Sequence, residues 1–362
     1  MIRHKRLADV ARLAGVHAST VSRVLNPGTR AMIRPAVAAR VLEAAAQVGY
    51  RPHALAASLR TQRSSTVGVL IPDLTNPLFA AIVRGIEDAL GAAGYTAVLG
   101  NSDNEPARAR TLLQRMRERR VDGLILATAH REDALIAECR ADEIPLVLVN
   151  RTVDDRATSA VVVDDAAGIR LAVEHLVGLG HRAIAHLAGP QDLSTGRLRQ
   201  RSFARTMVAA GLRVDPRLVL VCRSMTEAEG RRQFGQLLTR GAKFTAVLAG
   251  NDLIAMGCYD ELAARGLACP KAVSIVGYND LRFVDRMAPP LTTVRIPQYD
   301  MGAEAARLLL DRMLDPRAPV RTITLAPELV VRGSTAPIRR QTAADRRREA
   351  RDRRQRPADR RG

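Results

Sequence analysis

Tryptophan is absent from these 362 residues, and aromatic side chains make up only 3% of them, so the apolar content is aliphatic. Cysteine is scarce. Cys139, Cys222, Cys258 and Cys269 are scattered and form no CxxC pair. That spacing argues for free thiols in a reduced core over a disulfide framework or a metal site. No run of about 18 apolar residues exists, which excludes a membrane-spanning helix. The start, MIRHKRLADV, is basic but leads into an amphipathic helix and not into the apolar stretch of a signal peptide, so the expected location is the cytoplasm. Catalytic signatures are missing too: there is no P-loop, GxSxG or HExxH, and no GxGxxG opening a strand–helix unit. Asp164 and Asp165 are the one tempting carboxylate pair, but neighbouring side chains point apart more often than together. We expect no enzyme, no cofactor and no metal.

What is abundant is positive charge. The formal net charge is +19. Residues 1–63 hold eleven Lys and Arg against Asp9 and Glu43, and residues 337–362 hold eleven Arg against four acids, so the long middle is nearly neutral. Basic ends on a neutral body suggest a polyanion held by the ends and a different task for the body. The tail has almost no apolar residues and no leucine heptads. It cannot fold alone, and no coiled coil is expected there.

The stretch LADVARLAGVHASTVSRVLN, Leu7 to Asn26, organises the chain. Leu7, Val10, Ala11 and Ala14 recur at i, i+3, i+4 and i+7, one buried helix face. Gly15 and Val16 make a turn, and a second helix starts at about Ala18. Val21, Val24 and Leu25 fall on its inner side, and Ser19, Ser22, Arg23 and Asn26 on its outer side. One face packs, while the other carries short hydrogen-bonding groups and a guanidinium. A recognition helix in the DNA major groove needs that split. An ordinary helical hairpin with a solvated polar face has the same periodicity; the short turn and the small residues favour DNA.

Asn26-Pro27-Gly28-Thr29 then reads as a turn, and Pro35 opens a third helix to about Val48, closed by Gly49. Residues 51–65 read as a hinge: a segment under two turns long, Ala54 to Leu59, followed by a polar linker. From Thr66 strands and helices alternate in two consecutive series, ending in LTTVRIP, DMGAEAARLLLDRML and RTITLAPELVVRGS. The expected fold class is α/β, with a helix-turn-helix headpiece (1–50) and a core of two doubly wound lobes with a cleft between them (66–336).

Several separated stretches in order, DVARLAGVHASTVSRVLN, GYRPHALAASLR, VGVLIPDLTNPLF, RRVDGLILA, VEHLVGLGHRAIAHLAGP, AVLAGNDLIAMG and VSIVGYND followed by PPLTTV, resemble the lactose-repressor/galactose-repressor (LacI) family of bacterial transcription regulators. The resemblance implies a periplasmic-binding-protein-like core. It also implies a homodimer on near-palindromic double-stranded DNA, with affinity set by a small-molecule effector in the cleft. It places Ala18, Ser19, Ser22 and Arg23 at base edges and Thr20 and Asn26 nearer phosphates. His17 stands where the family usually has a capping Ser; imidazole is expected to cap poorly, leaving phosphate as its partner or the helix start less well fixed. Leu59 matches the hinge leucine that wedges into the central base step from the minor groove; packing against the body is the bland alternative.

In the cleft the resemblance points to Asn76, Phe79, Asp103, Asn150, Arg151, Asp164, Arg199, Asn251, Asp252 and Asn279. Amides and carboxylates suit hydroxyls, Arg199 adds charge assistance, and Phe79 suits stacking on a ring. Each has a local alternative. Asp252 could cap the helix from Leu253, Asp164 the helix from Ala166, and Asn76 could be turn chemistry before Pro77. Arg199 stands out as the ligand candidate. Asn279 replaces a more usual Asp, and Ile296 a polar residue of some sugar-binding members. Arg151 and Arg199 together suggest a sugar acid over a neutral sugar. A solute-binding protein with a sugar ligand is the competing class, opposed by the headpiece.

Overall fold

The computed structural model describes residues 6–50, 64–241 and 243–338. Leu59, most of the expected hinge and nearly all of the arginine-rich tail lie outside the described residues.

Among its described residues the headpiece has four helices: α1 Leu7–Ala14, α2 Ala18–Leu25, α3 Pro27–Arg30 and α4 Pro35–Val48. Gly15 ends α1 at φ 61°, a left-handed conformation that glycine reaches without a Cβ penalty. Val16 then donates its N–H to the Ala11 carbonyl and packs on the headpiece core. The buried members of that core are valines and alanines, including Val10, Ala14, Val21, Val24, Val41 and Ala45. A buried valine contributes about 1.5 kcal/mol and an alanine less, so the headpiece has a thin margin of stability. The expected turn at Asn26–Thr29 is instead the one-turn helix α3. Asn26 Oδ1 caps it by accepting from Gly28 N at 3.1 Å. Thr29 Oγ1 and Arg30 Nε tie it back to the Arg23 and Val24 carbonyls, at 2.8 and 2.9 Å.

The core contains two lobes of the same design. The first lobe opens with β1 Thr66–Ile71, α5 Pro77–Ala92, β2 Thr96–Asn101, α6 Pro106–Glu118, β3 Gly123–Leu126, α7 Ala134–Ala141, β4 Leu146–Val149 and β5 Ser159–Val163. The second lobe follows with α8 Asp165–Gly178, β6 Ile184–Ala188, α9 Ser194–Ala209, β7 Val219–Val221, α10 Glu227–Thr239, β8 Ala246–Ala249, α11 Asp252–Ala264, β9 Ser274–Asn279 and β10 Thr292–Arg295. The chain then returns to the first lobe for α12 Gln298–Leu314 and β11 Thr322–Leu325, and crosses again for β12 Glu328–Val330.

The sheets run β11-β5-β4-β3-β1-β2 and β12-β10-β9-β8-β6-β7. Pairings such as β1 with β3 (Val67 opposite Gly123) and β6 with β8 (Ile184 opposite Ala246) are parallel; β12 is paired antiparallel to β10. In each sheet the strand order reverses beside the lobe's first strand. Loops leaving the carboxyl ends there form a crevice, the usual place for a ligand in such folds.

The straight two-series reading misses the interleaving. The stretch RTITLAPELVVRGS divides between two sheets at Pro327, which has no N–H for a ladder. α12 lies against α5 where glycines face each other. A Cβ on Gly85 would collide with the Tyr299 carbonyl oxygen, and one on Gly302 with that of Ile82.

Candidate DNA-reading face and effector cleft

On α2, Val21 and Val24 are fully buried while Ser19 and Arg23 are exposed, and Thr20, Ser22 and Asn26 are half-buried. Arg23 makes no ion pair or side-chain hydrogen bond among the described residues, so its five N–H donors are free. Ala18 packs partly on the core and keeps the approach to the helix N-terminus unobstructed. His17 departs from expectation. It caps α2: its Nδ1 accepts from Ser19 N at 3.3 Å and lies 2.8 Å from Ser19 Oγ. Imidazole manages this because its extended backbone, φ −68° and ψ 148°, brings the ring nitrogen over the first turn. Asn26 likewise has its carbonyl oxygen occupied, in capping α3.

The cleft between the lobes gathers Asn76, Phe79, Asn150, Arg151, Arg199, Asn251 and Asn279 around a space of 30 Å³, about one water's worth. A 140 Å³ space at the mouth continues it. The lobes are bolted together there. Arg131 donates its backbone N–H to the Asp192 carbonyl at 2.9 Å and Nη1 to the Gln191 carbonyl at 3.2 Å. His130 Nδ1 lies 3.0 Å from Asp192 Oδ2, and Thr152 N donates to Ser194 Oγ at 2.9 Å. These bonds hold the lobes close across the cleft mouth.

The two arginines play different parts. Arg199 is fixed: Nε donates to Asp165 Oδ1 and Nη1 to the Gly250 carbonyl, both at 2.8 Å, and the guanidinium lies 3.7 Å over the Tyr278 ring. Burial pushes its pKa down, but Asp165, aided by Tyr278 and Asp252, more than restores it. Arg151 is 6% exposed, and its guanidinium has no hydrogen bond or ion pair among the described residues. Its pKa is lowered to about 10, chiefly by burial, with repulsion from Arg199 adding to the fall and nearby Asp192 offsetting part of it. The less compensated cation of the cleft is therefore Arg151. Asn279 is a second unsatisfied group, 2% exposed with an Oδ1 that accepts nothing.

Other expected residues have different duties. Asn76 caps α5, its Oδ1 accepting from Leu78 N at 3.1 Å, and still lines the cleft. Asp164 caps α8 through Ala167 N at 2.9 Å and does not line the space. Asp103 is paired with Arg108 on the exposed side of the first lobe, outside the gathered set. Asp252 does not cap α11, because Asn251 does, accepting from Ile254 N at 2.8 Å. Asp252 is 0% exposed, inside the second lobe, accepting from Leu281 N at 2.8 Å and Thr293 Oγ1 at 2.5 Å. Desolvation raises its pKa to about 6 against those bonds. The sequence reading passed over His130, Arg131 and Asp192; their position after β3 and β6, at strand carboxyl ends, was the available signal.

Residues 6–53 match the model of "Bacterial regulatory proteins, lacI family", and residues 173–335 that of a "Periplasmic binding protein-like domain". The ribose operon repressor of Escherichia coli (strain K12) is 34% identical over 330 residues, covering 91% of this chain and 99% of that protein. Among solved structures, the transcriptional regulator CelR–cellobiose complex is 33% identical with a TM-score of 0.71, covering 91% of this chain and 99% of that one. The Lac repressor dimer bound to operator and the anti-inducer ONPF is 28% identical with a TM-score of 0.83, covering 92% and 100%.

Proposed function

The chain belongs to the lacI family of bacterial regulatory proteins, and from that premise we propose that it represses transcription as a homodimer on a near-palindromic operator, under control of a small effector in the cleft. The observation that carries the DNA half is the outward face of α2, where Arg23 keeps every donor free above a sealed apolar face. Arg23 reads guanine bidentately, Ser19 and Ser22 make close base contacts, and Ala18 leaves room for a thymine methyl. Thr20, Asn26 and the rim of His17 face phosphates. Leu59, in the hinge 51–65, wedges the central step. Two-fold symmetry doubles the contacts of a small headpiece and demands a two-fold site.

The effector is a polyhydroxylated acid, such as a sugar acid. Arg151 supplies the counter-charge, Asn76, Asn150 and Asn279 supply amides for hydroxyls, and Phe79 supplies a face for the ring. Its entry parts the Arg131–Asp192 contacts, and the lobe movement changes the spacing of the two hinges in the dimer. A neutral pentose is the second reading, favoured by the relative named for the ribose operon. Two measurements decide. Selection and sequencing of DNA fragments at physiological salt should recover a palindrome with a flexible centre; no enrichment, with or without added metabolites, rejects the DNA reading. Calorimetry showing tight binding of a neutral sugar and none of sugar acids rejects the acid.

A further inference from the structure

Beside the cleft, mostly against the first lobe, is a larger open pocket of 650 Å³. Its floor is aliphatic, with Leu113, Leu126 and Ile136, each 2–3% exposed, and Ala109 on α6, while Glu105, Glu132 and Asp133 stand at its rim. Its size falls in the range of small-molecule sites, whereas the 30 and 140 Å³ spaces of the cleft do not.

The cavity is not separate from the cleft. It shares Pro72, Asn104, His130, Arg151 and Asp192 with the cleft mouth. Arg151, a buried cation whose guanidinium has no hydrogen bond or ion pair among the described residues, stands at the junction and lines both. An anionic group held there has two directions open to it: the amide-lined cleft for a polar ring, and the aliphatic cavity for an apolar substituent.

We propose that the lateral cavity is an effector subsite, and that the effector is an acid carrying a ring-sized apolar arm, its anion on Arg151 and its arm between α6 and α7 against Leu113, Leu126 and Ile136. This deepens the cleft reading and rests on it. The arm adds contact area in the open side pocket, and only the head must part the lobes.

The test uses the full-length chain and simple probes free of sugar stereochemistry: propionate, 3-phenylpropionate and, for the head alone, a set of sugar acids. Binding is followed by calorimetry and by methyl NMR of labelled Ile and Leu. The expected result is at least tenfold tighter binding of 3-phenylpropionate than of propionate, with the Ile136, Leu113 and Leu126 methyls shifting. Ala109→Phe, and separately Ile136→Phe, should fill the space and abolish the gain while leaving sugar-acid binding intact. Arg151→Met should lose the binding of every acid. An equal affinity for the two probes, or a gain that survives in both filled variants, overturns the lateral subsite and leaves the cleft reading standing. No binding by any acid overturns both.

Discussion

Replacing Arg151 by methionine should make the ligand-free protein more stable. The ordinary guanidinium value of 12.5 falls to about 10 in the folded core, with burial the largest cause. At about 1.36 kcal/mol for each tenfold change in the acid constant, the folded state bears about 3 kcal/mol for keeping this group charged. The sign follows from linkage. A cation whose folded pKa is lowered destabilises at every pH below that value, so the cost is present in full from pH 5 to 9. Methionine keeps a flexible apolar stem and removes the charge, and Asp192, whose side chain is 63% exposed, stays hydrated. Urea unfolding of dialysed protein at pH 7 should show the variant more stable by about 2–3 kcal/mol, a rise in melting temperature of about 5–10 °C. The difference should be the same at pH 6 and pH 9, and acid effectors should no longer bind. An unchanged or lower stability would refute the reasoning, because it would mean that Arg151 is already compensated where it lies. This is the trade expected of a group held for a ligand and not for the fold.

Arg23→Ala should weaken specific operator binding by about 1–3 kcal/mol in a gel-shift or fluorescence titration, with a much smaller loss on random DNA. His17→Ala should lower headpiece stability by about 0.5–2 kcal/mol by removing the cap on α2, while His17→Ser restores it; headpiece melting by circular dichroism reads both. Asp252→Asn should stabilise the core in a pH-dependent way. The buried carboxyl is raised from 3.8 to about 6, so its cost is absent below pH 4, grows as pH rises through 6, and reaches about 3 kcal/mol above that. Unfolding of the two proteins at pH 4.5 and 7.5 checks it: a difference that does not grow with pH contradicts the assignment.

The recognition helix was legible because two local signals coincide: apolar residues at helical spacing from Leu7 to Leu25, and a glycine at the one position needing positive φ. The alternating lobes were legible for the same reason, each buried strand being a short aliphatic run between turn residues. What escaped depends on partners distant in sequence. Asn-Pro-Gly reads as a turn until Thr29 and Arg30 find carbonyls on the preceding helix. Asn251 and Asp252 are both good caps, and only the backbone decides that the first caps while the second goes inward. Arg151 and Arg199 look alike in the sequence, but Asp165, 34 residues from Arg199, pairs with one, while Arg151 has only the partial help of the more distant Asp192. Strand runs carry no address either, so the return of α12 and β11 to the first lobe could not be read from periodicity.

That return sets the order in which the molecule can be made. A ribosome delivers β1 to β5 first, then the whole run from α8 to β10 that makes up most of the second lobe, and only afterwards α12 and β11. The first lobe starts earliest and finishes almost last. Until Thr322–Leu325 emerge, the β5 edge has no neighbour, and until Gln298–Leu314 emerge, the face of α5 around Gly85 lies bare. During the synthesis of well over a hundred residues the nascent chain holds an open sheet edge and an uncovered apolar helix face, the two features that most invite aggregation. The second lobe lacks β12 and the short segment after it, to Ile338, at the same stage, so it is the one better equipped to fold on schedule.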